Sequence, residues 1–367
     1  MRPSSEAELA EMMAAANAPW HITGGGTRGI GGDGAALETG GLRGIGLYEP
    51  GALTLVAQAG TPVAEIEAAL AAQNQRLAFE PTDLRDALGT SGVSTIGGVV
   101  ATGASGPRRI AVGAARDFML GVRFVDGAGT IVKNGGRVMK NVTGYDLVKL
   151  MTGAHGTLGV LTEVSLKVLP DVEMQASLRL SGLAPDQSVA AMSAALGSPF
   201  EVTGAGRTAA GDTLLRLEGF EASVRYRAGA LSKKLAGFGD VTLDDTAGQD
   251  WTDLRDARAF AGGSGDLWRL SVTPSDAPAV IAAVDPETYT LDWGGGLIWA
   301  EVPAGTDLRA RLSVPGHATL MRASVETYGR LGRFHPELDV LARISRELRA
   351  RFDPKGILNP GLMEAAP

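Results

Sequence analysis

Apolar positions first recur at helical spacing. Leu9, Met12 and Met13 form a stripe within residues 4–16, and Ser5 with Glu8 has the spacing of a capping box. Trp20 to Thr23 reads as a short strand running into Gly24-Gly25-Gly26-Thr27-Arg28-Gly29. Residues 53–59 (LTLVAQA) read as another strand. Thr61-Pro62 then starts a helix to about Ala72, with Thr at the N-cap, Pro at the first position, and Val63, Ile66 and Leu70 on one face. Residues 89–106 are dominated by Gly, Ser, Thr and Ala and read as a loop. Asp126-Gly127 marks the turn of a hairpin over 118–133. One or two helical turns over 144–151 precede a glycine-rich turn at 153–159. Residues 160–169 alternate, with Val164, Leu166 and Val168 against Glu163, Ser165 and Lys167, which predicts a half-buried strand. Leu338, Leu341, Ile344 and Leu348 give an amphipathic helix over 336–351, and the tail from Phe352 to Gly361 is turn-rich.

The character of the chain changes near Pro170. Glycine clusters thin out over 171–330, where helix and strand candidates mix. The division expected is 1–170, 171–330 and a C-terminal segment 331–367. The length of 367 residues agrees with two or three domains and a sizeable core.

Glycine is the compositional outlier, at 51 residues against a usual ~7%. Cysteine is absent, which excludes disulfides, thiolate zinc sites, cysteine nucleophiles, cysteine-ligated iron–sulfur clusters and a cysteinyl cofactor link. With 34 basic and 41 acidic residues the net charge is −7, which argues against nucleic acid and anionic membrane as partners. No apolar run reaches 18 residues, so no membrane span is expected. Glu6, Glu8 and Glu11 stand where a signal peptide needs an apolar core, so a cytoplasmic chain is expected.

Gly24-x-Gly26-x-x-Gly29 matches the dinucleotide fingerprint, with Glu49 about 20 residues beyond. The context does not fit. That glycine turn must open into a helix, and Ile30-Gly31-Gly32-Asp33-Gly34 is a poor helix start. Consecutive glycines can still turn backbone N–H groups toward one anion; a plain flexible loop is the alternative. Two further small-residue patches, Thr95 to Gly106 and Gly153 to Gly159, change the balance. Small side chains let another molecule lie against the backbone, and three such patches fit one extended ligand with a charged centre, such as a flavin dinucleotide. Tight packing between two sheets is the other reading.

These segments resemble the FAD-binding domain of the vanillyl-alcohol oxidase and p-cresol methylhydroxylase (PCMH) superfamily. Within it, the chain is similar to the smaller FAD-binding subunits of bacterial glycolate oxidases. The resemblance rests on HITGGGTRGIGG (21–32), AQAGTPVAEIEAAL (57–70), STIGGVVATGASGPRR (94–109), ARDFMLGVRFVDGAG (115–129), the run GGRVMKNVTGYD through SLKVLP (135–170), FHPELDVL (334–341) and FDPKGILNPGLM (352–363). It implies an α+β fold: a PCMH-type FAD-binding domain of two α+β subdomains, a smaller α+β cap, and a C-terminal segment returning to the FAD domain. By family position, Gly24, Gly25, Gly26, Thr27, Arg28 and Gly29 hold the pyrophosphate. Pro81, Thr95, Gly97, Gly98, Ala101, Gly103 and Gly106 line the dinucleotide. Gly153, Gly156, Gly159 and Val160 face its adenosine or pyrophosphate end, and Asn359 closes the site. Arg28 and Arg116 offset phosphate charge or form surface ion pairs.

Many relatives attach FAD through a histidine in the first glycine loop. Thr27 and Arg28 stand there instead, so noncovalent FAD is expected. Oxidation of a small 2-hydroxy acid needs a base and a cation for the carboxylate. The four histidines, His21, His155, His317 and His335, form no metal or base cluster like that of related 2-hydroxyacid dehydrogenases, and no metal site is expected. His335 is the candidate catalytic residue, with a structural role as the alternative. The resemblance implies two partners, a larger FAD-binding glycolate oxidase subunit and an iron–sulfur subunit, with any membrane contact made through them. Trp251, Phe260, Trp268, Trp293 and Trp299 either fill the core or supply a partner surface. A stand-alone FAD-dependent oxidoreductase and a non-catalytic assembly subunit remain the competing functions.

Overall fold

A computed structural model describes residues 1–136 and 144–363. Residues 137–143 of the GGRVMKNVTGYD motif and residues 364–367 lie outside the described residues.

Helix α1 (Glu6–Ala15) starts where the capping pattern puts it, with the Glu8 N–H donating to the Ser5 hydroxyl at 3.2 Å. Its Leu9 and Met13 are buried against Leu37, Val125, Val160 and Ile357. Strand β1 (Trp20–Thr23) pairs in parallel with β2 (Ala35–Glu38), so the first glycine loop joins two strands and opens into no helix. Strands β3 (Ile45–Glu49) and β4 (Thr54–Gln58) lead to α2 (Val63–Ala71) and the short β5 (Gln75–Arg76). Thr61 does not cap α2. Its hydroxyl instead accepts from the Gly44 N–H at 2.9 Å and donates to the Gly44 carbonyl at 3.1 Å, which ties the helix entry to the residue preceding β3.

After α3 (Arg85–Leu88) comes the largest departure from expectation. The small-residue run is not a loop: Ile96–Thr102 is helix α4. Thr95 caps it, Ile96, Val99 and Val100 are buried, and Gly103 ends it at φ +62°. Gly97 is a packing residue here. A Cβ on it would sit 2.6 Å from Ala59 Cβ and 2.7 Å from the Ala59 carbonyl oxygen, too close to coexist. The helix therefore pays its glycine propensity cost of about 1 kcal/mol to lie directly on a neighbouring backbone.

Helix α5 (Arg109–Val112) precedes the expected hairpin of β6 (Met119–Val125) and β7 (Ile131–Gly135). The Asp126 carboxylate fixes its turn by accepting from the Ala128 and Thr130 N–H groups. Helix α6 (Leu147–Met151) and β8 (Val160–Lys167) follow. The antiparallel order β3-β4-β8-β6-β7 makes β8 central, with Val164 and Leu166 buried on one face and Glu163 and Lys167 partly exposed on the other, as the alternation predicts. Toward the start of the strand α1 covers it as well, where Glu6 accepts the Thr162 hydroxyl at 2.6 Å.

Strand β9 (Leu169–Pro170) pairs back on β5. The elements that follow are β10 (Met174–Leu180), α7 (Pro185–Leu196), β11 (Gly204–Arg207), β12 (Thr213–Gly219), α8 (Glu221–Leu235), β13 (Thr242–Asp244), α9 (Gly248–Arg255), β14 (Asp266–Val272), α10 (Ala277–Val284), β15 (Thr288–Asp292), β16 (Leu297–Val302) and β17 (Gly316–Arg322). Their strands form one antiparallel sheet of eight, ordered β13-β10-β12-β11-β15-β16-β14-β17. Leu215 and Leu217 of β12, with Trp268 and Leu270 of β14, pack in one core with α7, α8 and α10. By the two-residue period, Arg216, Glu218 and Arg269 belong to the opposite face. Trp251, Phe260, Trp268, Trp293 and Trp299 are all buried, so they are core residues. Helices α11 (Val325–Leu331) and α12 (Asp339–Phe352) lead back to the first sheet, where the Trp20 N–H donates to the Ile357 carbonyl at 2.8 Å.

A buried ionic lattice holds the eight-stranded sheet against the earlier part of the chain. Arg216 donates to both oxygens of Glu80, at 2.8 and 3.0 Å. Glu218 accepts from Arg76 at 2.7 Å and from Arg108. Burial alone would raise the Glu218 pKa, but Arg216, Arg108 and Arg76 outweigh it and hold the carboxyl down at about 2. Removing one partner leaves uncompensated buried charge. Glu218→Gln is expected to lower stability by about 3–5 kcal/mol at pH 7 by denaturant unfolding. Because the folded pKa is depressed, that stabilisation is present above about pH 4.5 and fades toward pH 2. A loss below 1 kcal/mol would show that the lattice does not hold the two parts together.

Candidate cofactor and active site

Two adjoining cavities, of about 420 and 240 Å³, lie side by side, the first within the earlier part of the chain closed by Asn359 and the second where that part meets the eight-stranded sheet. Arg28, Ile30, Thr102 and His155 line both. The first is walled by the β1–β2 loop, by α4, and by the turn before β8. Of the residues expected to hold a cofactor, it gathers Gly24, Gly25, Gly26, Thr27, Arg28, Gly29, Thr95, Gly97, Gly98, Ala101, Gly156, Gly159 and Asn359. Gly103 and Gly106 line the second cavity. Pro81, Arg116, Gly153 and Val160 line neither: Val160 packs in the core under α1, and Arg116 is exposed, 4.0 Å from Asp117.

The backbone N–H groups from Gly24 through Arg28 donate to no acceptor among the described residues. These residues line the cavity and are for the most part only partly buried, so their free amides are available to an anion bound there. Protein contacts hold it in place. A Cβ on Gly25 would overlap the Val93 carbonyl oxygen at 1.6 Å, whereas one on Gly26, at φ +74°, would meet nothing. Arg28 supplies fixed charge beside the cradle. Its guanidinium donates to the Thr82 hydroxyl at 2.9 Å and carbonyl at 2.7 Å, and burial brings its pKa down to about 10 despite Asp83 and Asp256. Asn359 accepts from the Ile22 N–H at 2.7 Å and donates to the His155 carbonyl at 2.9 Å, so it fastens the C-terminal segment to two of the cavity's walls.

The second cavity holds what the sequence did not reveal. Five arginines line it, Arg28, Arg109, Arg255, Arg269 and Arg333, with Asp292 and His155. Burial, then Arg333 and Arg28, push the His155 imidazole down to about 4, so it is neutral at physiological pH; its Nδ1 is buried without a partner. Asp292 accepts from the Trp293 N–H at 2.7 Å, yet burial lifts its carboxyl to about 7. It can hold or release a proton near neutrality. His335 lies elsewhere. Its Nδ1 accepts from the Ala318 N–H at 3.3 Å, its ring stands 5.5 Å from that of His317, and it lines a third cavity beside α12. The arrangement of these groups offers a long, amide-lined slot for an anionic dinucleotide, opening into a cationic chamber with one titratable acid.

Comparison with known proteins gives the class of the chain. Residues 1–135 match the family model described as an FAD binding domain. The chain is 39% identical to the glycolate oxidase subunit GlcE of Escherichia coli strain K12, over 88% of this chain and 85% of GlcE. It is 40% identical to the glycolate oxidase subunit GlcD of Bacillus subtilis strain 168, over 23% of this chain and 18% of GlcD. Among solved structures, 4-ethylphenol oxidase from Gulosibacter chungangensis superposes with a TM-score of 0.71 at 11% identity, covering 100% of this chain and 89% of that one, which shows the shared fold. The protein is thus an FAD-binding oxidoreductase with the PCMH-type α+β fold. Within that class, it belongs to the family of the glycolate oxidase subunit GlcE.

The buried acid makes a testable demand. Between about pH 4 and pH 7 the folded chain keeps a proton on Asp292 that the unfolded chain has released. Its contribution to stability is full below pH 4 and is lost as pH rises to 7. Asp292→Asn keeps the acceptor for the Trp293 N–H and removes the titration. The variant is expected to gain stability relative to the parent as pH rises from 4 to 7, and calorimetric melting at several pH values checks this. A constant difference across that range would place the Asp292 pKa in the ordinary range.

Proposed function

We propose that this protein is the noncovalent FAD-carrying subunit of a glycolate-oxidising complex, and that its electrons pass to an iron–sulfur partner. The observation that carries this reading is the unpaired amide run Gly24–Arg28 in a cavity continuous with an arginine-lined one. The diphosphate of FAD needs N–H donors and positive charge, which this run and Arg28 offer. The remaining length of the cofactor needs close backbone approach, which α4 and the Gly156–Gly159 turn allow. Bound FAD supplies a two-electron acceptor. The chain's own residues hold the cofactor, bury it from water, and present Asp292 as a proton-holding group in the adjoining chamber. The identity to GlcE supports glycolate as the substrate of the complex. Thr27 and Arg28 in the first glycine loop, and the absence of cysteine, support noncovalent binding.

Assembly is supported by α12. The exposed Leu338, Val340, Leu341 and Ile344 form a ridge of which nothing is buried, flanked by Arg343 and Arg346. We assign this ridge to docking of the larger FAD-binding subunit or the iron–sulfur subunit. No helix among the described residues is long and apolar enough to cross a membrane. Work at the cytoplasmic face of the membrane would run through these partners.

The purified chain is expected to be yellow or to become so with added FAD, and its flavin should pass a filter after denaturation. A chain that stays colourless after reconstitution would overturn the cofactor reading. Flavin retained with the denatured protein would overturn noncovalent attachment. Leu341→Glu with Ile344→Glu is expected to abolish co-purification with the two partner subunits while FAD content is kept. Unchanged co-purification would remove α12 from the interface.

A further inference from the structure

The arginines of the second cavity are not equally occupied. Arg255 is paired with Asp256 through two bonds of 2.8 Å. Arg28 is tied to Thr82, and Arg333 donates to the Gly29 carbonyl at 2.9 Å. Arg109 and Arg269 differ. Among the described residues, neither guanidinium makes an ion pair or a side-chain hydrogen bond. They come from opposite parts of the molecule, Arg109 from α5 and Arg269 from β14 in the eight-stranded sheet. Both rest on the same indole, with Cζ 4.5 and 5.2 Å from the Trp293 ring centre.

Trp293 is held for this purpose by its surroundings. It sits at φ +54°, a left-handed conformation that a bulky residue rarely adopts, and Gly294 and Gly295 continue that corner at +70° and +106°. Its indole N–H donates across the junction to the Gly106 carbonyl at 3.1 Å. A strained corner thus carries one aromatic plate, and two unneutralised guanidiniums lie on it facing one chamber. Like charges brought together in a buried place disfavour the fold unless an anion joins them. The acid next in line, Asp292, is only partly ionised at neutral pH and so offsets little of that charge.

We propose that the second cavity is a carboxylate-binding site belonging to this chain itself, in which Arg109 and Arg269, aligned by Trp293, hold the carboxylate of a small 2-hydroxy acid. This rests on the flavoprotein reading above and sharpens it: the subunit binds substrate and does more than relay electrons. A planar carboxylate suits guanidinium forks. The apolar lining of Leu254, Leu297, Trp299 and Met321 leaves the remainder of the chamber to a compact molecule.

The test uses the full chain loaded with FAD and oxalate as a carboxylate probe that is not a 2-hydroxy acid. Calorimetric titration and the flavin difference spectrum are read at fixed ionic strength, with chloride as the control anion. Oxalate is expected to bind and to raise the melting temperature. Arg269→Met and Arg109→Met should each weaken binding at least tenfold with FAD content unchanged, and Arg269→Lys should fall between. Near-ultraviolet circular dichroism checks folding, and either single variant suffices if the other fails to fold. Oxalate that binds no better than chloride, or that binds both Met variants as it binds the parent, overturns the proposal. So does a shift in flavin potential in Arg269→Met with oxalate affinity unchanged, which would assign the guanidiniums to the cofactor ring. If reconstitution with FAD fails, the same titration on that chain separates the two readings: oxalate binding there would leave the carboxylate site although the cofactor assignment falls.

Discussion

The second cavity depends on how Glu80 and Glu218 are held between three arginines. One wall of each cavity comes from the first half of the chain, and the facing wall of the second comes from the eight-stranded sheet. Nothing in either sheet alone fixes their separation. Arg216 does so by gripping both oxygens of Glu80 while lying 4.7 Å above the Trp251 ring, and Arg108 and Arg76 do so from the other side through Glu218. A purely apolar contact would tolerate sliding, because hydrophobic burial is not directional. A bidentate pair does not. Such lattices contribute little net stability after desolvation, so their value here lies in registration.

The glycines divide into two groups under the same constraint. Gly25 and Gly97 are small because protein backbone presses on them, at Val93 and Ala59 respectively. Gly26 is small in open space and at positive φ, where its role is to turn the loop. Packing and ligand binding are therefore not competing explanations of the glycine-rich segments. The packed glycines bring α4 and the loop close to neighbouring backbone, and this fixes the walls between which the unpaired amides face the cavity. Substituting a packed glycine strikes the wall before it strikes the ligand.

Local sequence signals carried the local structure. The Ser5 cap, the Asp126-Gly127 hairpin and the strand after Gly159 are all encoded within a few residues, and they fold as that chemistry predicts. The first cavity was legible for the same reason, since its small residues cluster in three short segments. The helix at Ile96–Thr102 was not, because its glycine content argues against a helix until Ala59 is seen beneath it. The ionic lattice had no sequence signature at all: Glu80 and Arg216 stand 136 positions apart. Likewise Arg109, Arg269 and Trp293 look like ordinary residues of three separate elements, and only the pairing of the two halves puts them together. His335 stands near the C-terminal segment in sequence, but the turn before α12 directs it toward His317.

Charge placement ties these observations together. The chain carries a net −7, yet its interior junction is strongly cationic. That inversion requires compensation, and the structure supplies it in two ways. Where the charge serves architecture, arginines meet carboxylates that stay ionised, as with Glu218. Where it lines the second chamber, the neighbouring acid Asp292 is desolvated enough to keep its proton part of the time, and His155 is kept neutral. An anion entering the chamber would raise the Asp292 pKa further by like-charge repulsion, so ligand uptake and proton retention favour one another. The positive field then remains directed at the ligand rather than being spent on the protein's own acid. A chamber built to bind nothing would neutralise Arg109 and Arg269 from within, as the lattice a few residues away does for Arg108 and Arg216.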